Sequence, residues 1–110
     1  MRVEVHGEGA GNGFAAAARR AATQALAGHA GTVERVRVST EAGDGAQVLC
    51  RFEVRGLRAW QVIVEEVDPD AHQALERAAC RAAVDVAHTL ERVGRTWTSG
   101  PQPWPSTRAS

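Results

Sequence analysis

The sequence predicts an α+β fold: a two-layer sandwich of order β-α-β-β-β-α, with a four-stranded sheet and two helices on one of its faces. Three observations carry this. Four stretches alternate apolar and polar residues with the period of a strand. Two breaker-free stretches repeat their apolar residues with the period of a helix. The last three strand-like stretches follow one another through short turns, as in an antiparallel meander. The first strand must then return beside one of its members.

Arg2 to His6, RVEVH, is the first strand, with Val3 and Val5 on one side. Gly7 to Gly13, GEGAGNG, is a turn, and Asn12 is a possible helix N-cap. Phe14 to Ala27, FAAAARRAATQALA, has no breaker and is rich in the best helix former. Phe14, Ala18, Ala22, Ala25 and Leu26 share a broad face, and Gly28 to Gly31 end the helix.

Thr32 to Thr40, TVERVRVST, alternates again, with Val36 and Val38 one way and Arg35 and Arg37 the other. Glu41 to Gly45 is a loop. In Gln47 to Arg55, QVLCRFEVR, Val48, Cys50, Phe52 and Val54 face the core, and Leu49, Arg51, Glu53 and Arg55 face away. Gly56-Leu57-Arg58 makes a hairpin connection. Ala59 to Glu66, AWQVIVEE, is the fourth strand, with Trp60, Val62 and Val64 on one face. The second sheet face is predicted to be open to water and lined by Arg35, Arg37, Arg51, Glu53, Arg55 and Gln61.

Asp68 to Arg95 is the longest element, an amphipathic helix with Asp68 as N-cap, Pro69 in the first turn and Asp70 against the helix dipole. With Leu75 at zero and 100° per residue, Ala78, Ala79, Ala82, Val86, Thr89, Leu90 and Val93 fall within about 60° of it. On the far side, at roughly 200–260°, lie Arg77, Arg81, His88, Arg92 and Arg95, with Asp85 at the margin. Packing gives no reason to keep those arginines together. They require either a solvated surface or an anionic partner.

The 110 residues suffice for one domain, residues 1–95, and a Pro/Ser/Trp tail, residues 96–110, predicted to be flexible. Trp97 and Trp104 give the tail something to dock or present. Net charge is zero, so bulk charge cannot drive nucleic-acid binding, and only a local patch could. All thirteen basic residues are arginine, whose planar fork grips phosphate in a bidentate way that lysine cannot. The N-terminus has no secretory pattern, and no apolar run approaches the ~18 residues of a membrane span. A cytoplasmic location follows as the expectation, with Cys50 and Cys80 as free thiols.

The element order and particular residues together resemble the ribosome hibernation promoting factor and ribosome-associated translation inhibitor family, in its short, single-domain form. The resemblance runs from Met1 to about Arg95. It is carried by VERVRVST, by the LCRFEV and WQVIVEE hairpin, and by DPDAHQALERAACRAAVDVAHTLER. Family members show a polar start to the last helix, an aromatic, an Ala-Ile/Leu-Asp/Glu step and a later basic residue. Asp70, His72, Ala74-Leu75-Glu76 and Arg81 stand at those places. The resemblance implies a double-stranded-RNA-binding-domain-like fold. It also implies binding to the small ribosomal subunit, in the channel where messenger and transfer RNA sit, so that idle ribosomes are blocked or stored. The chain departs from the family in having fewer basic residues on its helices, diluted by Glu65, Glu66, Asp68, Asp70, Glu76 and Glu91.

The candidate RNA-binding residues are Arg77, Arg81, His88, Arg92 and Arg95, extended by Arg19 and Arg20 of the first helix. The bland alternative is a solvated face with i,i+4 pairs such as Arg81 with Asp85. The open-face arginines are expected to pair across strands with Glu34, Glu53 and Glu65. The glycine loop sits where a phosphate cradle would be, but no register gives G-x-G-x-x-G. The four histidines and two cysteines show no metal-ligand spacing, and no nucleophile turn is present. The expectation is a non-catalytic protein without cofactor or metal, whose partners are ribosomal RNA and the small subunit, with no membrane role. A homodimer through an edge strand is possible. The competing reading is a protein-interaction or dimerisation module using the open sheet face or the tail.

Overall fold

The computed structural model describes residues 1–7 and 13–98, with side chains to Val93. Its elements are β1 (Arg2–Gly7), α1 (Phe14–Ala25), a 3-10 turn (Ala27–His29), β2 (Val33–Ala42), β3 (Val48–Gly56), β4 (Gln61–Asp68) and α2 (Ala71–Thr98). The described strands form one sheet of order β1-β2-β3-β4. β1 pairs parallel with β2, and β2-β3-β4 is the expected antiparallel meander. Both helices lie on one face, α1 against β1 and α2 against β3 and β4, and they touch each other.

The core between the layers is built mainly from the residues the two periodicities select. Val36, Val38, Cys50, Phe52, Val54, Val62 and Val64 come from the sheet. Phe14, Ala18, Ala22 and Leu26 from the α1 segment meet Ala74, Leu75, Ala78, Ala82 and Val86 of α2. The many alanines let two helices approach the sheet and each other closely. The larger volume comes from Phe52, Leu26 and Leu75, which are fully buried. Phe14 closes the start of α1 with an edge-on ring contact to His72, 5.7 Å between centroids.

Several element ends differ from expectation. α2 starts at Ala71, because β4 runs on through Asp68. Asp70, rather than Asp68, holds the first turn: its carboxylate accepts the His72 backbone N–H at 2.8 Å. The Asp68 carboxylate instead accepts the Asp70 N–H at 2.8 Å and sets the bend into the helix. α2 also continues to Thr98, past Arg95. At α1 the N-cap is Gly13, in the left-handed region at φ 79°, while Asn12 lies outside the described residues. The rest of the glycine loop and residues 99–110, with Trp104, lie outside them too, as does the side chain of Trp97.

β2 carries a bulge that the sequence reading does not anticipate. Val33 pairs with Gly56 and Arg35 with Arg55, so Glu34 is an extra residue. The insertion switches the facing of the strand. It lets Val33 enter the core with Val36, while Arg35 keeps the open-face place that alternation with Val36 and Val38 gives it. The β3–β4 hairpin closes with Gly56 N–H donating to Trp60 C=O at 2.9 Å, and with Ala59 left-handed at φ 62°.

Candidate nucleic-acid interface

α2 presents Arg77, Arg81, His88 and Arg92 as exposed side chains, on the side away from Leu75, Ala78, Ala82 and Val86. The N-terminal half of this row is tied to β4. Arg77 bonds the Glu66 carboxylate at 3.3 Å, the Asp68 carboxylate at 2.9 Å and the Val67 carbonyl at 2.9 Å. Arg81 bonds the Glu65 carbonyl at 3.2 Å and the Glu66 carboxylate. Glu66 and Asp68 follow Val62 and Val64 by strand parity, which aims them at the helix layer, where the two guanidiniums meet them. The Arg81 hydrogen bond, aided by Arg77, holds the Glu66 carboxyl below its ordinary range against the opposing pull of partial burial. Asp68 is held low by the Asp70 N–H and then by Arg77. Part of the anionic partner the row requires is therefore internal, yet Arg77 and Arg81 still expose 47% and 57% of their side chains.

The remaining candidates lie apart. Arg19 donates to the Val3 carbonyl at 2.7 Å, at the β1 edge of the sheet. β1 and β4 are opposite edges, so Arg19 does not join Arg77 and Arg81 in one patch. Arg20 and His88 are exposed on the helix layer, and Arg92 continues the α2 row toward its C-terminal end. The Arg95 side chain lies outside the described residues. A shared feature emerges at the edges. Arginines from the helices donate to outward carbonyls of both edge strands, Val3 on β1 and Glu65 and Val67 on β4.

The open face of the sheet is ordered in rows by the strand register. One row reads Arg2, Arg35, Arg55, Gln61; the next Glu4, Arg37, Glu53, Ile63; the next His6, Ser39, Arg51, Glu65. The expected cross-strand pairing holds for only part of it. Arg51 reaches Glu65 across on β4 at 3.7 Å, but its shorter pair, 3.0 Å, is with Glu53 of its own strand. Glu4 is shared by Arg2 at 3.2 Å, Arg37 at 3.5 Å and His6 at 3.8 Å. Partial burial works to raise the Glu4 pKa, and Arg35, Arg2 and Arg37 outweigh it, so the carboxyl titrates below its ordinary value. Arg35 and Arg55 sit directly opposite each other and form no ion pair among the described residues. Opposed like charges cost a sheet a few tenths of a kcal/mol, of order 0.2–1. The sequence reading places Arg35 and Arg55 on this face; their direct opposition, with Arg2 beside them, needs the strand register.

No family model and no curated protein sequence matches the chain. Solved structures do. The N-terminal domain of Thermus thermophilus Protein Y superposes with a TM-score of 0.68 at 18% identity, over 81% of this chain and 99% of that one. A ribosomal subunit interface protein from Coxiella burnetii gives 0.65 at 10% identity, over 83% of this chain and 99% of its own. The chain has the Protein Y fold.

The two structures bear out the α+β sandwich that the sequence predicts. Within the Protein Y fold of this chain, the two layers give two chemically distinct surfaces. The helix layer offers α2 arginines partly tied to β4. The sheet layer offers arginines of which two, Arg35 and Arg55, form no ion pair among the described residues. The thiols contribute no obvious chemistry to either: Cys50 is buried, which pushes its pKa up to about 11, and Cys80 is exposed and free. No cluster of three or more His, Cys, Asp or Glu suited to a metal occurs among the described residues, and no described helix is long and apolar enough to cross a membrane.

Proposed function

We propose that this chain is a non-catalytic ribosome-associated protein, with residues 1–95 as an RNA-binding domain that occupies the RNA-lined channel of the small subunit and excludes messenger and transfer RNA. The observation that carries the reading is the fold. Two proteins that share it over nearly their whole length are a Protein Y domain and a ribosomal subunit interface protein. The exposed guanidiniums of α2 and α1 supply a physical means, since arginine forks bind phosphate bidentately and A-form RNA is recognised by shape and backbone. Arg77, Arg81, His88, Arg92 and Arg95 would contact RNA along α2, with Arg19 and Arg20 reaching a separate segment from α1. Occlusion needs no reacting group, only a domain that fills the channel.

Co-sedimentation with purified small subunits tests this. The protein should pellet at low salt and release as salt rises, with each phosphate contact adding roughly 0.7–0.9 to the log–log slope. Arg20→Glu with Arg92→Glu spares the contacts to β4. That variant should remain folded and lose roughly tenfold in affinity per contact, at about 1.5 kcal/mol each. Failure to pellet at any salt would overturn the reading. The second reading, a protein-binding or dimerising sheet face, draws on exposed Ile63 and Val67 beside half-buried Leu49. Binding that resists salt and fails on Ile63→Ser would favour it.

A further inference from the structure

The open face of the sheet holds a charge arrangement that the fold itself does not use. Arg2, Arg35 and Arg55 occupy one register row across three neighbouring strands. With strands about 4.8 Å apart, the first and third lie roughly 10 Å from each other. Arg37 stands in the adjacent row and lines a cleft of about 210 Å³ with Arg35, Arg55, Glu53 and Gln61. Within this group of four guanidiniums the local carboxylate is Glu4, ion-paired with Arg2 and Arg37 and also within the electrostatic reach of Arg35, so one negative charge faces four positive ones. Glu53 is taken by Arg51. Glu34 lines the neighbouring cleft with Arg55 but makes no ion pair with it. The Nε of Arg37 is buried and has no hydrogen-bond partner. The strand register sets Arg35 directly opposite Arg55, two like charges on the open face. Such an opposition works against folding and in favour of an anion.

We infer that the Arg2–Arg35–Arg55 row, with Arg37, is a second RNA site, which takes the sugar–phosphate backbone on the face opposite the helices. A single phosphate reaches two neighbouring forks, whereas a run of linked phosphates engages all three. The row thus fits a polyanion better than a free ion. The inference rests on the ribosomal reading for the identity of the RNA, and it deepens that reading. A domain wedged in an RNA-lined channel meets RNA on both layers, and this chain carries an arginine group on each.

The test is the double variant Arg35→Gln/Arg55→Gln, with the full chain as reference. Affinity is measured over a range of salt for small subunits and, separately, for a short RNA duplex. Inorganic phosphate serves as a competitor. The variant is expected to melt at the same temperature as the parent or higher, since a like-charge pair is removed. It is expected to bind the duplex at least about tenfold more weakly, with a log–log salt slope lower by roughly 1.5, the loss of two phosphate contacts. Unchanged affinity and slope would overturn the inference, and so would displacement of the duplex from the row by equimolar inorganic phosphate. If Arg20→Glu/Arg92→Glu abolishes subunit binding and Arg35→Gln/Arg55→Gln does not, the ribosomal reading stands and the second site falls. If the parent ignores subunits but binds the duplex through Arg35 and Arg55, the site stands and the ribosomal reading falls.

Discussion

At the scale of single residues the β3–β4 turn shows how little freedom the chain leaves. Trp60 is 8% exposed and its indole lies flat over Gly56. A Cβ on Gly56 would stand 1.8 Å from Trp60 Cε2, inside any tolerable contact. The ring cannot retreat into the core, because Val54 and Val62 are buried beside it in the two strands. Ala59 completes the turn at φ 62°, where an L residue carries roughly 1–2 kcal/mol of strain. Gly56→Ala is therefore expected to cost about 1–3 kcal/mol, the usual penalty of overpacking. Denaturant unfolding of the two proteins would measure it. A loss below about 0.5 kcal/mol, the size of an ordinary surface change, would mean that the indole is free to move.

At the scale of elements the most consequential pairing is α2 with β4. Glu66 and Asp68 both titrate below their ordinary values, through Arg81 and Arg77 and through the Asp70 N–H. In the unfolded chain these carboxyls take up protons at higher pH than in the folded protein. Their contribution is therefore complete above the ordinary carboxylate range and is lost as pH falls below about 4.5 toward the lowered folded values. Stability should decline over that acid window, and the decline should be shallower in Arg77→Gln/Arg81→Gln, whose acids have lost their partners. Melting temperatures measured from neutral to acid pH give the comparison. Parallel curves for the two proteins would show that other carboxyls, Glu4 among them, dominate. The two faces of α2 were legible in the sequence, since a period of 3.6 sorts Leu75, Ala78 and Ala82 from Arg77 and Arg81 without any tertiary knowledge. The partners of those arginines were half legible. Strand parity from Trp60, Val62 and Val64 carries on to Glu66 and Asp68, but contact with α2 depends on where the helix crosses. Arg35 and Arg55 were legible as open-face residues, but their alignment with Arg2 in one row was not. Alternation gives the facing of a strand, whereas the row depends on the register between strands, which leaves hardly any mark on composition.

At the scale of the whole molecule a neutral chain keeps two separate groups of arginine on opposite layers, and the same residue type guards the sheet between them. An open four-stranded sheet has two unpaired edges, each a template for another strand. β1 and β4 are those edges, and both are addressed from the helix layer. Arg19 donates to Val3 C=O, Arg81 to Glu65 C=O and Arg77 to Val67 C=O. Each guanidinium occupies a carbonyl that an added strand would need and places a charge where that strand would lie. β4 needs the protection more, because Ile63 and Val67 leave apolar surface beside its edge. Edge-to-edge dimerisation therefore has to displace charge-assisted hydrogen bonds, worth about 1.5–3 kcal/mol each where well formed and less at this exposure. The parent protein is expected to sediment as a monomer over a wide concentration range. Replacing Arg19, Arg77 and Arg81 together with glutamine removes the charges and keeps much of the side-chain bulk. That variant is expected to retain its fold and to associate as concentration rises, with added β signal in circular dichroism. A variant that stays monomeric at the highest concentrations would show that twist alone protects the edges. It would leave Arg77 and Arg81 with their pairing to Glu66 and Asp68 and the proposed phosphate role.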